Sequence, residues 1–244
     1  MELENKVVLV TGATQGLGRA LTIEFAAAGC RVVGIGRNLA KLEEIRAQIE
    51  GEFTPIECDV SDHEAVCQAV QQTLSLYGGV DVLFNNAAVY PKVSFLEETP
   101  EAWTSAMGAN VNGVAYFCKA VLPVMIRAGQ GRVYNLGSWA YLGPIPKSAA
   151  YSASKGAVHT LTGAIAQDLA QFNTDVQVHE WIPGHLKTQM SDHGGIDPHV
   201  SAKWAVAMVR NDAASKASVI FENDYEWIPP KRIKDRILDL LLFR

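Results

Sequence analysis

Short β-branched runs alternate with longer amphipathic stretches through most of this chain, and no other feature constrains its fold as strongly. Lys6-Val7-Val8-Leu9-Val10 is an apolar run of strand length. Arg31 to Gly36, Glu52 to Glu57, Val80 to Phe84, Arg132 to Leu136 and Asp175 to Ile182 repeat the pattern, and Ser218 to Glu222 is a further candidate. Between them, Leu17 to Ala28, Leu39 to Glu50, Asp62 to Tyr77, Pro100 to Arg127, Ala150 to Phe172 and Pro198 to Arg210 carry helical spacing. Gly29 stops the first helix, Ser61 or Asp62 caps the third, and Pro123 predicts a kink in the longest. Such alternation predicts parallel strands covered on both faces. Right-handed crossovers then give one α/β domain over 1–244, a doubly wound sheet of about seven strands.

The chain has 244 residues, 48% of them hydrophobic, enough to bury a large core and too apolar for a mainly disordered chain. A net charge of −5 argues against a nucleic-acid partner, which needs a basic face. No uncharged apolar stretch reaches the about 18 residues of a membrane span. The acidic start, Met1-Glu2-Leu3-Glu4, lacks the basic opening and apolar run of a signal peptide, so the expected location is cytoplasmic. Cys30, Cys58, Cys67 and Cys118 form no C-x-x-C pair and read as plain thiols. The six histidines show no ligand spacing, so no metal is expected.

In a doubly wound sheet, ligands bind beyond the carboxyl ends of the strands. The first such end is Gly12-Ala13-Thr14-Gln15-Gly16-Leu17-Gly18. Glycines there let the backbone turn tightly and approach a pyrophosphate, and the helix that follows offers free N–H groups. The spacing is G-x-x-x-G-x-G, weak alone and stronger with a strand before and a helix after. The second end, Gly36-Arg37-Asn38, holds no carboxylate for the ribose hydroxyls of NAD. Arg37 reads as a grip for the 2′-phosphate of NADP or as a solvated surface charge. NADP is the expected cofactor, with NAD as the alternative.

Tyr151-Ser152-Ala153-Ser154-Lys155 opens a helix, so Tyr151 and Lys155 share one face. An ammonium near a phenol lowers its pKa and makes it a usable proton donor and acceptor. Ser138, just past the fifth strand, offers a hydroxyl to a substrate carbonyl.

These residues resemble the short-chain dehydrogenase/reductase family. Thr11-Gly12-x-x-x-Gly16-x-Gly18, Asp59-Val60, Asn85-Asn86-Ala87, Asn110, Ser138, Tyr151-x-x-x-Lys155 and Pro183-Gly184 with Thr188 occur in that family's order and spacing, from about Lys6 to Met190. The resemblance implies a Rossmann-type fold and an NAD(P)-dependent oxidoreductase. It implies Tyr151 as general acid or base, Lys155 holding the nicotinamide ribose and lowering the Tyr151 pKa, and Ser138 orienting the substrate oxygen. Asn110 would kink the long helix and anchor a water. Asp59, with Val60, would meet the adenine. Asn86 and Ala87 would lie beside the cofactor, with Thr14, Gln15 and Leu17 in the phosphate turn and Asn38 near the ribose. Pro183, Gly184 and Thr188 would form the nicotinamide-side loop.

The chain departs from the family in places. Asn-Asn-Ala-Gly reads Asn85-Asn86-Ala87-Ala88, the basic residue many NADP members carry before the second glycine is Gln15, and the frequent Ser-Ser is Gly137-Ser138. The usual Asp-Gly-Gly ending is absent, and the C-terminal part is weakly similar to the carbonyl-reductase-like branch. Val89, Tyr90, Trp139, Tyr141, Leu142, Ile145, His185 and Met190 flank the motifs and predict a pocket for a neutral, mostly apolar carbonyl or secondary alcohol. His185 reads as a substrate contact or an exposed loop residue. Residues 185–210 read as a substrate loop or lid, and 229–244 as a helical tail that packs on the domain or a partner subunit. The resemblance and the small residues Ala153, Gly156, Ala157, Gly163 and Ala164 predict a homodimer, with a tetramer as the alternative. A dinucleotide-sensing or interaction protein without turnover is the rival to an enzyme. A longer-chain isomerase or epimerase of the extended branch is weaker still.

Overall fold

The computed structural model describes residues 1–191, 194–211 and 220–227. Eight strands among them form one sheet in the order β3-β2-β1-β4-β5-β6-β7-β8. They are β1 (Val7–Thr11), β2 (Arg31–Gly36), β3 (Phe53–Glu57), β4 (Val82–Asn85), β5 (Gln130–Leu136), β6 (Asp175–Ile182), β7 (Ile220–Glu222) and β8 (Tyr225–Trp227). Strands β1 to β7 run parallel, and β8 returns antiparallel to β7. Seven α-helices connect and cover them: α1 (Gly16–Ala27), α2 (Leu39–Arg46), α3 (His63–Tyr77), α4 (Pro100–Met107), α5 (Gly113–Ala128), α6 (Ala149–Leu169) and α7 (Pro198–Arg210).

The period-2 alternation of strand side chains divides the core in two. Val8, Val10, Phe84, Tyr134 and Trp181 point to one face, where Leu21 and Phe25 of α1 and Ala205 and Val209 of α7 cover them. Leu9, Val33, Leu83, Val133 and Val178 point to the other, against Val66 and Val70 of α3, Phe117 and Val121 of α5 and Val158 of α6. Central strand β1 is buried at every position, so its apolar run does not alternate with polar residues. Strand order reverses between β1 and β4, which opens a crevice beyond their carboxyl ends.

Several boundaries differ from the sequence reading. Helix α2 stops at Arg46, and its continuation to Glu50 is not helical. The longest helix is interrupted by a π-turn at Gly108–Asn112 rather than at Pro123, which α5 carries internally. Gly113 lets that helix pass close to the loop after β3: a Cβ there would lie 2.9 Å from Val60 Cγ2. The combined segment Pro100–Ala128 has the length and mean hydropathy, 1.3, of a membrane span. Here its apolar face, with Phe117, Val121 and Met125, is buried against the sheet. Asp62 is the N-cap of α3, accepting from the N–H groups of Glu64 and Ala65. Helix α7, placed in the expected lid, is a core element through Ala202, Ala205 and Val209. Strand β8 had no counterpart in the sequence pattern, and the expected tail at 229–244 lies outside the described residues.

Candidate active site

One cleft of about 1640 Å³ lies beyond the carboxyl ends of the strands, lined from Gly12 at one end to Lys155 and Glu222 at the other. The glycine turn forms its floor. Gly12 has φ +68, and a Cβ there would lie 2.9 Å from Ala87 Cα. A Cβ on Gly18 would overlap the carbonyl oxygen of Gly12, so the third glycine serves the close packing of turn and helix rather than the cleft. The turn is braced from β4. Thr11 Oγ1 accepts from the N–H groups of Asn86 and Ala87, both at 3.0 Å, and Asn86 Nδ2 donates to Thr11 O at 2.8 Å.

Helix α1 begins here at Gln15 without a side-chain cap. Thr14, Gln15, Gly16 and Leu17 all line the cleft. Uncapped N–H groups at a twelve-residue helix, opening onto a cavity, are what a pyrophosphate requires. The residues present therefore fit a dinucleotide.

Arg37, Asp59 and Val60 line the same end of the cleft. Burial alone would raise the Asp59 pKa, but the Ser61 N–H and hydroxyl and the charge of Arg37 hold it below its ordinary range. Asn38, expected near the ribose, does not line the cleft. Its Oδ1 accepts from Lys41 N at 3.0 Å as the N-cap of α2.

At the other end, Ser138, Tyr151 and Lys155 come together. Ser138 follows β5 and caps a 3₁₀ turn at Trp139–Tyr141. Tyr151 and Lys155 stand one turn apart on α6, and Tyr151 is hydrogen-bonded to Ser138. Lys155 is 4% exposed and donates to Leu136 O at 2.7 Å, with Nζ 5.5 Å from the centre of the Tyr151 ring. Tyr90 stacks on Tyr151 at 4.7 Å between ring centres, with the planes 21° apart.

The lowered Tyr151 pKa expected from Lys155 is not found in this arrangement. Burial raises the phenol, the Ser138 hydrogen bond opposes it, and Tyr90 adds to the rise. Lys155 turns its ammonium to a main-chain carbonyl instead, and its own burial brings it down to about 8.

Asn110 lies in the π-turn, as the resemblance implied, but does not line the cleft. Its side chain is spent on bracing: Oδ1 accepts from Val89 N at 2.7 Å, and Nδ2 donates to Val89 O and Ser154 Oγ, both at 2.9 Å. Pro183, Gly184, His185 and Thr188 line the cleft beside the glycine turn, and a Cβ on Gly16 would sit 3.3 Å from Thr188 Cγ2. Val89, Tyr90, Trp139, Ile145 and Met190 line it too, whereas Tyr141 and Leu142 do not. His185 is exposed at the rim. Among the described residues no cluster of metal-ligating side chains exists.

Sequence reasoning missed Glu222, which accepts from Trp139 Nε1 at 2.9 Å and from the Tyr225 hydroxyl at 2.8 Å. The β7–β8 hairpin thereby becomes a wall of the cleft, with Trp227 5.0 Å from Trp139 between ring centres. Those contacts are tertiary, and no local pattern announces them.

The short chain dehydrogenase family pattern matches residues 6–197. An uncharacterized oxidoreductase of Staphylococcus saprophyticus is 33% identical over 216 residues, covering 84% of this chain and 92% of that one. A 3beta-hydroxysteroid dehydrogenase of Mediterraneibacter gnavus is 35% identical over 205 residues, covering 78% and 73%. A metagenomic short-chain oxidoreductase, solved in complex with NADP, superposes with a TM-score of 0.78 at 28% identity, covering 91% and 99%. A glycine turn ahead of an uncapped helix, a Ser–Tyr–Lys cluster in the same cleft and a sheet in the 3-2-1-4-5-6-7 order agree with that kinship, and the chain belongs to the short-chain dehydrogenase/reductase family and is an NAD(P)-dependent oxidoreductase.

Proposed function

We propose that this oxidoreductase uses NADP(H) to interconvert a neutral, mostly apolar carbonyl compound and its secondary alcohol. The observation that carries the reading is the placement of Ser138, Tyr151 and Lys155 in one cleft with the uncapped start of α1. When bound, NADP(H) would supply or accept the hydride, with Lys155, Pro183, Gly184 and Thr188 among the residues that would hold its nicotinamide half. Ser138 holds the substrate oxygen beside the Tyr151 hydroxyl. Tyr151 donates its proton to that oxygen in reduction and takes it back in oxidation. Lys155 holds the cofactor's ribose and supplies positive charge near Tyr151, which matters most when the phenol gives up its proton. Asn110 fixes Val89, which lines the cleft, and Ser154, on the helix that carries Tyr151.

The lining of Val89, Tyr90, Trp139, Ile145 and Met190 supports an apolar substrate. A hydroxysteroid is such an alcohol, and the M. gnavus relative is named for one. Following cofactor absorbance against a panel of apolar ketones and alcohols, steroids included, tests the proposal. Cofactor binding without turnover of any of them would favour a dinucleotide sensor.

Arg37 supports the NADP preference, as the cationic side chain at the end of β2 that lines the cleft. In Arg37→Ala, NADP binding should weaken about 10- to 100-fold, the scale of a charge-assisted pair of roughly 1.5–3 kcal/mol. NAD binding should stay nearly unchanged. Tighter binding of NAD than NADP by the unmodified protein sinks the assignment. Adding a carboxylate for NAD with Gly36→Asp is a poor test, because a Cβ there would lie 2.7 Å from Thr14 Cγ2.

For assembly we propose a homodimer built on the outer face of α6, where Ala153, Gly163 and Ala164 are exposed. Nothing lies within 4 Å of a Cβ placed on Gly163, so a neighbouring helix could approach closely. Light scattering at micromolar concentration should give twice the chain mass; a monomer or a tetramer refutes the single-interface reading.

A further inference from the structure

Glu180 is a buried carboxyl group with no part in the proton transfer described above. It lies in β6, is 1% exposed, and its Oε1 has no hydrogen-bond partner. Its Oε2 is 2.7 Å from His159 Nδ1, and His159 reaches the surface with 38% of its side chain exposed. Space for the carboxyl comes from Gly137, where a Cβ would overlap Glu180 Oε1. Gly137 stands where the resembled family frequently has serine. It directly follows Leu136, whose carbonyl receives the Lys155 ammonium at 2.7 Å. The carboxyl and the ammonium therefore bracket one short stretch of backbone at the end of β5, and each feels the other's charge.

We propose that Glu180, oriented by His159, is a positioning residue for Lys155: its negative charge keeps the lysine protonated inside the cleft. The inference rests on Lys155 belonging to the proton-transfer set proposed above. A buried ammonium without a counter-charge loses its proton readily. Burial does pull Lys155 down, to about 8, and Glu180 acts against that pull. Burial likewise lifts Glu180 above the ordinary carboxylate range, and His159 and Lys155 limit that rise. The groups facing Glu180 are these two from α6 and, from the 3₁₀ turn, Tyr141, whose ring stacks on His159 at 4.7 Å. Strand β5 presents Gly137 and, in register with Glu180, the neutral Asn135, and β7 presents Ile220 in register with it. Neighbouring His179 belongs to the opposite face of the sheet, packed on Tyr134 and Phe221.

The sign is fixed by the charges. Removing the Glu180 charge should let Lys155 lose its proton at lower pH. The test is an NMR titration of ¹³C-labelled lysine in the free protein, with the Lys155 signal assigned through Lys155→Met. Glu180→Gln keeps a partner for His159 and should move the Lys155 midpoint down by about one pH unit, the scale of one nearby charge. The alkaline fall of kcat/KM in reduction should move the same way. If Glu180→Gln does not fold, Gly137→Ala/Glu180→Ala fills the vacated space with a methyl group and should show the same shift. The unmodified protein gives a third check, since a Glu180 carboxyl still protonated at the Lys155 midpoint supplies no charge. An unmoved Lys155 midpoint in either folded variant, or a neutral Glu180, overturns the proposal. Undiminished turnover in Lys155→Met would instead overturn the catalytic reading, and the titration would distinguish the two failures.

Discussion

In Tyr151→Phe, kcat falls at least about 10²-fold, the usual scale for losing a general acid, while cofactor affinity is nearly unchanged. The substitution removes one oxygen and leaves the ring. That ring still stacks on Tyr90 at 4.7 Å and still lies beneath Lys155, so the cleft keeps its shape. Only the hydroxyl bonded to Ser138 is lost. The raised phenol pKa adds a signature in the unmodified protein. A raised value means the phenol stays protonated through neutral pH, so reduction has its proton ready and its rate is flat there. Oxidation needs the phenolate, so its rate climbs as pH rises towards the Tyr151 pKa. Stopped-flow measurement of both directions across pH reads each trend. Near-normal turnover by the phenylalanine variant would sink the mechanism, and an oxidation rate that falls with rising pH through neutrality would contradict the Tyr151 assignment.

How far the chain's own pattern reached depends on whether a contact is local. Strands β1 and β2 were legible because their apolar runs carry both the β-branched residues and the burial. The glycine turn was legible because Gly12 and Gly18 are required by backbone geometry, through a positive φ in one and a close approach in the other. The capping role of Asn38 was missed although a local signal existed: asparagine just before a charged amphipathic run is a favoured N-cap. The π-turn was hidden from composition, because Pro123 is the stronger helix-breaking residue, and only the resemblance pointed to Asn110. Glu180 and His159 were overlooked although His159 follows Lys155 by one helical turn. Their meaning depends on Gly137, distant in sequence and adjacent in space. Strand β7 falls within the Ser218 to Glu222 candidate, but β8 and the pairing of the two in a hairpin could not be read. Three-residue strands carry almost no periodicity, and their position is set by two tryptophans from elsewhere.

One of those tryptophans links core packing to the substrate end of the cleft. Trp181 is completely buried in β6, edge-on to Phe84 at 5.9 Å, and donates from Nε1 to Asn223 O at 2.9 Å. Asn223 forms the turn of the hairpin with φ +54, a conformation that needs support from its surroundings. Trp181→Ala should cost about 3–5 kcal/mol of stability, the range for truncating a buried aromatic side chain. It also leaves Asn223 O without its indole donor and loosens the turn that carries Glu222. Trp139, held by Glu222, then loses its fixed orientation over the cleft. The expected kinetic result is a raised KM for substrate with a smaller change in kcat, since Ser138 stays just past β5 and Tyr151 and Lys155 stay on α6. Trp181→Phe separates the two effects. It refills most of the volume but brings no N–H, so its stability loss should shrink to about 1–3 kcal/mol, the cost of one unmade buried hydrogen bond. Its KM should remain raised. Chemical denaturation gives the first quantity and steady-state kinetics the second. A phenylalanine variant with an unaltered KM would show that the indole hydrogen bond does not position the hairpin, leaving Trp181 a filler of the core alone.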